Sequence, residues 1–320
     1  MEHRHLGRSG TRVSRLGLGT AGWGREVDEH EAAEQLRTFL GDGGTFVDTS
    51  DSYGHGESER IIGGLLREVV DREEIVLGTK AAIVEGERRV DASRRHLLGA
   101  LERSLRRLGT DHVDLWQLHA WDTGTPLEET LAACDTAVSS GRARYVGVSN
   151  YAGWQAATAA TWQRGAPYRA PIVAAQMEYS LLQRGIEREL MPATAEHGIG
   201  VLAWSPLGRG VLTGKYRGGI PSESRAASPQ HEQFIRPYLT DEHTRVVNSV
   251  VTAAEGLDTT PLAVALAWVR DRPGVAAAIV GARTVAQLRG SLEAESLTLP
   301  DQIRQALDDV SAPPASYPEV

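Results

Sequence analysis

Four residues able to carry or hold a proton stand just after short apolar runs: Asp48, Tyr53, Lys80 and His119. Asp48 and Tyr53 share the stretch Asp48-Thr49-Ser50-Asp51-Ser52-Tyr53-Gly54, Lys80 ends the run at 75–79, and His119 ends the run at 113–118. Singly, each has an ordinary reading, as a helix cap, a packing ring or surface polarity. Jointly they call for a common site, because buried charges need partners. The chemistry that suits them is delivery of a proton to an oxygen. Reducing a carbonyl takes a hydride at carbon and a proton at oxygen. A tyrosine titrating near about 10 is too weak an acid at neutral pH unless a cation stabilises its phenolate. Lys80 is expected to supply that cation. Asp48 would keep the lysine protonated and oriented, and His119 would hydrogen-bond the carbonyl oxygen. Lys80 and Lys215 are the only lysines among 34 basic residues, so position 80 calls for a compact ammonium rather than a planar guanidinium.

These four must be carried to one place by the elements that precede them. Short β-branched or apolar runs at 15–19, 45–47, 75–79, 113–118, 145–148, 172–176, 200–203 and 277–280 alternate with longer amphipathic stretches, the pattern of βαβ units. Asp28 reads as the cap of a helix ending at Leu40 before Gly41 to Gly44. A second helix is expected over 92–108, with Leu97, Leu98, Leu101, Leu105 and Leu108 on one face and Gly109 as its stop. Another starts after Pro126, taken as a first-turn proline. Eight such units predict an α/β fold, a (β/α)8 TIM barrel forming one domain over 1–320, with catalytic groups at the C-terminal ends of the strands. Residues 5–6 and 13–15 around Gly-rich 7–11 predict a β-hairpin plugging the barrel bottom. The long stretch 208–240, rich in Gly, Ser, Arg and Pro, reads as a lid at the active face.

Composition narrows the function classes. A formal charge of -8 argues against a nucleic-acid or anionic-membrane partner, both of which reward a basic surface. The single cysteine, Cys134, precludes an intrachain disulfide and sits in an apolar helical pattern as an inert core thiol. The polar start of the chain lacks a signal-peptide core, and its longest apolar run, 261–269, is too short to span a bilayer. A cytoplasmic location is the expectation, with no metal site.

One rival motif is literal. Gly17-Leu18-Gly19-Thr20-Ala21-Gly22 matches G-x-G-x-x-G after a strand, and Asp48 ends the next strand as a ribose-binding acid would. A dinucleotide fingerprint must open a helix directly, however, and here the helical pattern waits until about Asp28.

Thr45-Phe46-Val47-Asp48-Thr49-Ser50-Asp51-Ser52-Tyr53-Gly54, Gly78-Thr79-Lys80 and Asp114-Leu115-Trp116-Gln117-Leu118-His119 resemble the tetrad motifs of the aldo-keto reductase superfamily. The similarity runs nearly end to end. It implies Asp48, Tyr53, Lys80 and His119 as the tetrad, and NADPH extended across the barrel mouth with no Rossmann domain. Ser149, Asn150 and Gln176 resemble binders of the nicotinamide amide. Trp204-Ser205-Pro206-Leu207 resembles the segment that stacks on the nicotinamide and holds the pyrophosphate. By the same resemblance Thr20, Ala21 and Gly210 contact cofactor, Lys215 and Arg225 clamp it from the long loop, and Gly281, Arg283, Gln287 and Ser291 hold the adenosine 2′-phosphate end. Gly290 and Ser291 depart from the Glu and Asn often found there. Trp23, Trp121 and Tyr179 are expected to wall the site for a small carbonyl substrate.

Two other classes compete. Potassium-channel β subunits also resemble this chain, which implies an NADPH-sensing binding module with slow turnover. A lyase using Lys80 as a Schiff base is the third reading, less suited to an adjacent Asp and Tyr.

Overall fold

The computed structural model describes residues 1–84, 89–222, 224–228 and 232–314. Two short strands, β1 (His3–His5) and β2 (Arg12–Ser14), pair antiparallel. Then β3 (Leu16–Gly19) leads through a turn to α1 (Glu29–Gly41), and β4 (Phe46–Asp48) to α2 (Glu57–Glu68). Strand β5 (Val76–Ala81) is followed by a small antiparallel pair, β6 (Ile83–Val84) and β7 (Arg89–Val90), and then α3 (Arg94–Leu108). The alternation continues through β8 (Val113–Leu118), α4 (Leu127–Ser139), β9 (Ala143–Ser149), α5 (Gly153–Arg164), β10 (Ile172–Glu178), α6 (Leu190–His197) and β11 (Gly200–Trp204). Helices α7 (Glu232–Ile235), α8 (Asp241–Gly256) and α9 (Pro261–Arg270) precede β12 (Val275–Val280), and α10 (Val285–Leu292) and α11 (Asp301–Val310) follow it.

Strands β3, β4, β5, β8, β9, β10, β11 and β12 close a barrel in that order, every neighbouring pair parallel. All eight expected strands are present, several a residue or two longer than expected. The fold is the TIM barrel, and its strand ends at one rim are where chemistry can be assembled.

The hairpin closes the opposite end. Leu6 and Val13 are fully buried, packed with Phe46, Leu115, Val173, Leu202 and Ile279 inside the barrel. Gly7 has φ +58, and a Cβ there would meet the backbone oxygens of Gly198 and Val173 at 2.6 Å, so only glycine lets the hairpin seat this deeply. Gly17 serves a related end. A Cβ on it would lie 2.7 Å from the Phe46 ring, so the first glycine of the G-x-G-x-x-G stretch makes room for a barrel-filling aromatic. No helix opens at that motif; the next begins at Glu29, capped by Asp28, whose side chain accepts from the Glu31 N–H.

Two helix starts differ from expectation. α3 begins at Arg94, because the Ser93 hydroxyl accepts from the His96 N–H and caps it two residues late. Pro126 is the cap residue of α4, in extended conformation with ψ 134, rather than part of its first turn. Gly109 stops α3 in the left-handed conformation at φ 65, as its position implied. Among the described residues, no single helix is long and apolar enough to cross a membrane.

Candidate active site

Strand ends β4, β5 and β8 bring Asp48, Lys80 and His119 to the same rim, and the segment after β4 returns Tyr53 beside them. That segment is tightly folded. The Tyr53 N–H bonds the Ser50 carbonyl, and Gly54, His55 and Gly56 are all left-handed before α2 begins. Thr79 alternates with Lys80 along β5, so it faces outward, where its hydroxyl donates to the buried Glu59 carboxylate at 2.6 Å. Arg107 of α3 holds the other Glu59 oxygen. The strand carrying Lys80 is thereby tied to two surrounding helices.

The centre is a chain of charge and hydrogen bonds. Lys80 Nζ donates to Asp48 Oδ2 and to the Thr49 carbonyl, both at 2.7 Å, and lies 3.3 Å from the Tyr53 hydroxyl. Lys80 is fully buried and Asp48 nearly so. Gln176 and Gln117 donate their side-chain amides to Asp48 Oδ1 at 2.8 and 3.4 Å, so both carboxylate oxygens are occupied. Burial pulls the Lys80 pKa down, but Asp48 and the tyrosine pull it up by more, and the net displacement is upward. Lys80 is thus held as an ammonium, the wrong state for a Schiff-base nucleophile.

Tyr53 requires a correction. Burial is the largest influence on its hydroxyl and raises the pKa; the Lys80 charge lowers it, Asp48 raises it again, and the net direction is upward. Lys80 therefore offsets part of a burial penalty rather than turning Tyr53 into a stronger acid than free tyrosine. The phenol keeps its proton through neutral pH. His119 is pushed down to about 3 by burial and then by the Lys80 charge, so its ring is neutral. Its Nδ1 lies 3.1 Å from Ser50 Oγ, and its ring meets that of Tyr53 edge-on, centroids 6.0 Å apart. Asp51 is raised to about 7, first by burial and then by the neighbouring Glu59 charge.

Asp48, Tyr53 and His119 line a cavity of about 630 Å³ running along the rim. Ala21, Ser149, Asn150, Gln176, Trp204, Ser205, Pro206, Leu207, Gly210, Lys215, Gly281, Arg283, Gln287 and Ser291 line it too. Gln176 spends its amide N–H on Asp48, leaving its oxygen to accept from a ligand. Asn150, left-handed at φ 57, donates to the His119 carbonyl and accepts from the Trp204 indole, stitching three strand ends together. Ser205 is also left-handed, at φ 51, a conformation costing a non-glycine residue about 1–2 kcal/mol and concentrated at functional rims. Arg283, also on the lining, precedes α10, where the Thr284 hydroxyl caps the first turn and the Arg283 N–H bonds Gln287.

Four expected contacts are not found at the cavity. Thr20 is fully buried, its hydroxyl donating to the Asp48 carbonyl and accepting from Ser58, which makes it a brace under the site. Trp23 is 1% exposed because its indole N–H finds Gln35 in the core. Tyr179 is buried against Trp268, with its hydroxyl donating to Glu187 and accepting from Arg272. Trp121 stacks edge-on with Tyr151 and Trp154 and borders a separate shallow depression with Arg89, Asp91 and Asp122. None of Trp23, Trp121 and Tyr179 is among the residues that line the cavity. The side chain of Arg225 lies outside the described residues.

Further residues brace this rim. Arg209 forks onto Glu178 at 2.8 and 2.9 Å, donates to the Phe234 carbonyl and packs on the Phe234 ring, while the Tyr238 hydroxyl donates to the same Glu178. This cluster ties residues 232–238 of the long loop to the end of β10, with Arg209 and Phe234 at the cavity. An acid ending a strand, as Glu178 does, was the available signal. Gln117, on β8 two residues before His119, which directly follows that strand, could have been found by alternation.

The sequence profile of the Aldo/keto reductase family matches residues 15–312. The chain belongs to the aldo/keto reductase family. It is 36% identical over 325 residues to the oxidoreductase YrpG of Bacillus subtilis, covering 97% of this chain and 96% of that one. It is 34% identical over 331 residues to a probable voltage-gated potassium channel subunit beta of Arabidopsis thaliana, covering 99% of this chain and all of that one. L-glyceraldehyde 3-phosphate reductase of Escherichia coli is 32% identical over 307 residues, 92% of this chain and 87% of its own. Family membership supports an oxidoreductase; the family acts on small carbonyl compounds and generally uses a nicotinamide cofactor. A dinucleotide phosphate fits the lining: Lys215 Nζ would stand 3.1 Å from a Cβ at Gly210, and Arg283 lines the same cavity, so two cations besides the Glu178-paired Arg209 line it in a net acidic chain.

Proposed function

We propose that this aldo/keto reductase transfers hydride from NADPH to an aldehyde or ketone, with Tyr53 as general acid. The observation that carries the reading is the Tyr53 hydroxyl at the cavity, 3.3 Å from an ammonium that is itself 2.7 Å from a buried carboxylate. When bound, the dihydronicotinamide supplies the hydride. Tyr53 holds the proton that the carbonyl oxygen takes up, since its raised pKa keeps the phenol intact until that oxygen gains charge. Neutral His119 donates a hydrogen bond to the same oxygen and fixes its approach. Lys80 opposes the phenolate's burial as the proton leaves, and Asp48 anchors Lys80. Asp48, Tyr53, Lys80 and His119 are the catalytic residues of this reading. Ser149, Asn150, Gln176, Trp204 to Leu207, Lys215 and Arg283 hold the cofactor, with Arg283 favouring NADPH over NADH through its fork.

The potassium channel subunit names among the relatives favour one second reading, an NADPH-binding regulatory module with slow turnover. The test covers both: a panel of aldehydes and ketones followed by loss of NADPH absorbance. Turnover near the usual range of about 1–10³ per second on some member supports the reductase. Tight NADPH binding with negligible turnover across the panel supports the regulatory module.

A further inference from the structure

Ser50 is fully buried between β4 and the tetrad, and its hydroxyl has one proton to give. Four acceptors surround it. The Lys80 carbonyl, at 3.5 Å, already receives the Asp51 N–H at 3.1 Å. Ser52 Oγ, at 3.0 Å, can turn its own proton toward Ser50, whose oxygen also receives the Ser52 N–H. Asp51 Oδ1 competes at 3.3 Å, but burial beside Glu59 keeps that carboxyl protonated up to about 7 and weakens its claim. His119 Nδ1 remains, at 3.1 Å.

His119 is 8% exposed and lines the cavity. A neutral imidazole carries a single N–H, so whatever bonds one nitrogen fixes the state of the other. If Ser50 donates to Nδ1, the hydrogen must sit on Nε2, the nitrogen left for the cavity. If instead Nδ1–H donated to Ser50, Nε2 would be bare and unable to donate to a carbonyl oxygen.

We propose that Ser50 is a positioning residue for the reductase reaction: its hydroxyl donates to His119 Nδ1 and locks the ring in the Nε2–H tautomer required to hydrogen-bond the substrate's carbonyl oxygen. The proposal rests on the reading of His119 as that donor. It also gives position 50 a role separate from the four titratable groups, since Ser50 acts only through the ring.

The test pairs a spectroscopic reading with kinetics. Long-range proton–nitrogen NMR on histidine-labelled protein reports which ring nitrogen is protonated, and the His119 signal is assigned by its loss in His119→Gln. The wild-type ring is expected as Nε2–H. Ser50→Ala is expected to give a mixture of tautomers and to lower kcat about tenfold, the weight of one hydrogen bond of about 1.4 kcal/mol, with NADPH affinity unchanged; Ser50→Thr, which keeps the hydroxyl, should restore the wild-type ring signal. A wild-type ring protonated at Nδ1 overturns the proposal, as does a Ser50→Ala ring signal identical to wild type. A changed ring signal with unchanged turnover upholds the hold of Ser50 on the ring and removes the carbonyl role of His119 instead.

Discussion

Asp48 and Lys80 form a buried ion pair 2.7 Å long at the ends of adjacent strands, and Tyr53 is bonded to the lysine side of it. The pair is costly to bury and is supported on both sides. Thr49 accepts from the ammonium, and Gln176 and Gln117 donate to the carboxylate. Removing either charge leaves the other stranded.

Lys80→Met is therefore expected to lower stability by about 3–5 kcal/mol as well as abolish turnover, because the Asp48 carboxylate stays buried without its cation. Thermal or urea denaturation beside an activity assay checks this. A variant as stable as wild type would mean that Asp48 takes up a proton at little cost.

Asp51 gives the protein a pH-dependent stability of unusual sign for a carboxylate. Its folded pKa, raised to about 7, lies above the ordinary value of 3.8, so the folded state holds a proton that the unfolded state releases. That contribution is fully present below about pH 4 and is lost as pH rises toward 7. Asp51→Asn cannot ionise, so its melting temperature relative to wild type should climb between about pH 4 and pH 7 and level off above that. A constant difference over that window would contradict the burial of the Asp51 charge beside Glu59.

Arg283→Ala should weaken NADPH by about tenfold or more while changing NADH affinity little, since loss of a charged fork on a phosphate removes at least about 1.4 kcal/mol. Fluorescence titration with each cofactor measures both constants. Equal weakening of the two would remove the 2′-phosphate from Arg283.

The barrel was legible in the sequence because short β-branched or apolar runs and helical stripes report burial directly, and all eight strands followed from them. Cap positions were less so. Ser93 displaced the start of α3, since a hydroxyl that accepts from a backbone N–H competes locally with helix propensity. Asp48, Lys80 and His119 were readable because each stands at a strand end, and Tyr53 because it follows Asp48 closely in the segment after β4. The surroundings of Trp23, Thr20 and Tyr179 were not legible for one physical reason: residue type shows that a side chain can make a wall or a contact, but not whether a buried partner such as Gln35, the Asp48 carbonyl or Glu187 has already claimed its polar end. The tuning of Tyr53 was also hidden, because charge proximity can be inferred from spacing while the opposing cost of burial depends on the assembled cavity.

Tyr53→Phe tests the central claim most directly, since it removes one oxygen and leaves the ring in place. With the carbonyl substrate found in the panel, single-turnover oxidation of bound NADPH should slow by about 10²–10⁴-fold, while the NADPH dissociation constant stays within about twofold of wild type. A variant that binds NADPH normally and keeps most of its single-turnover rate would contradict Tyr53 as the proton donor.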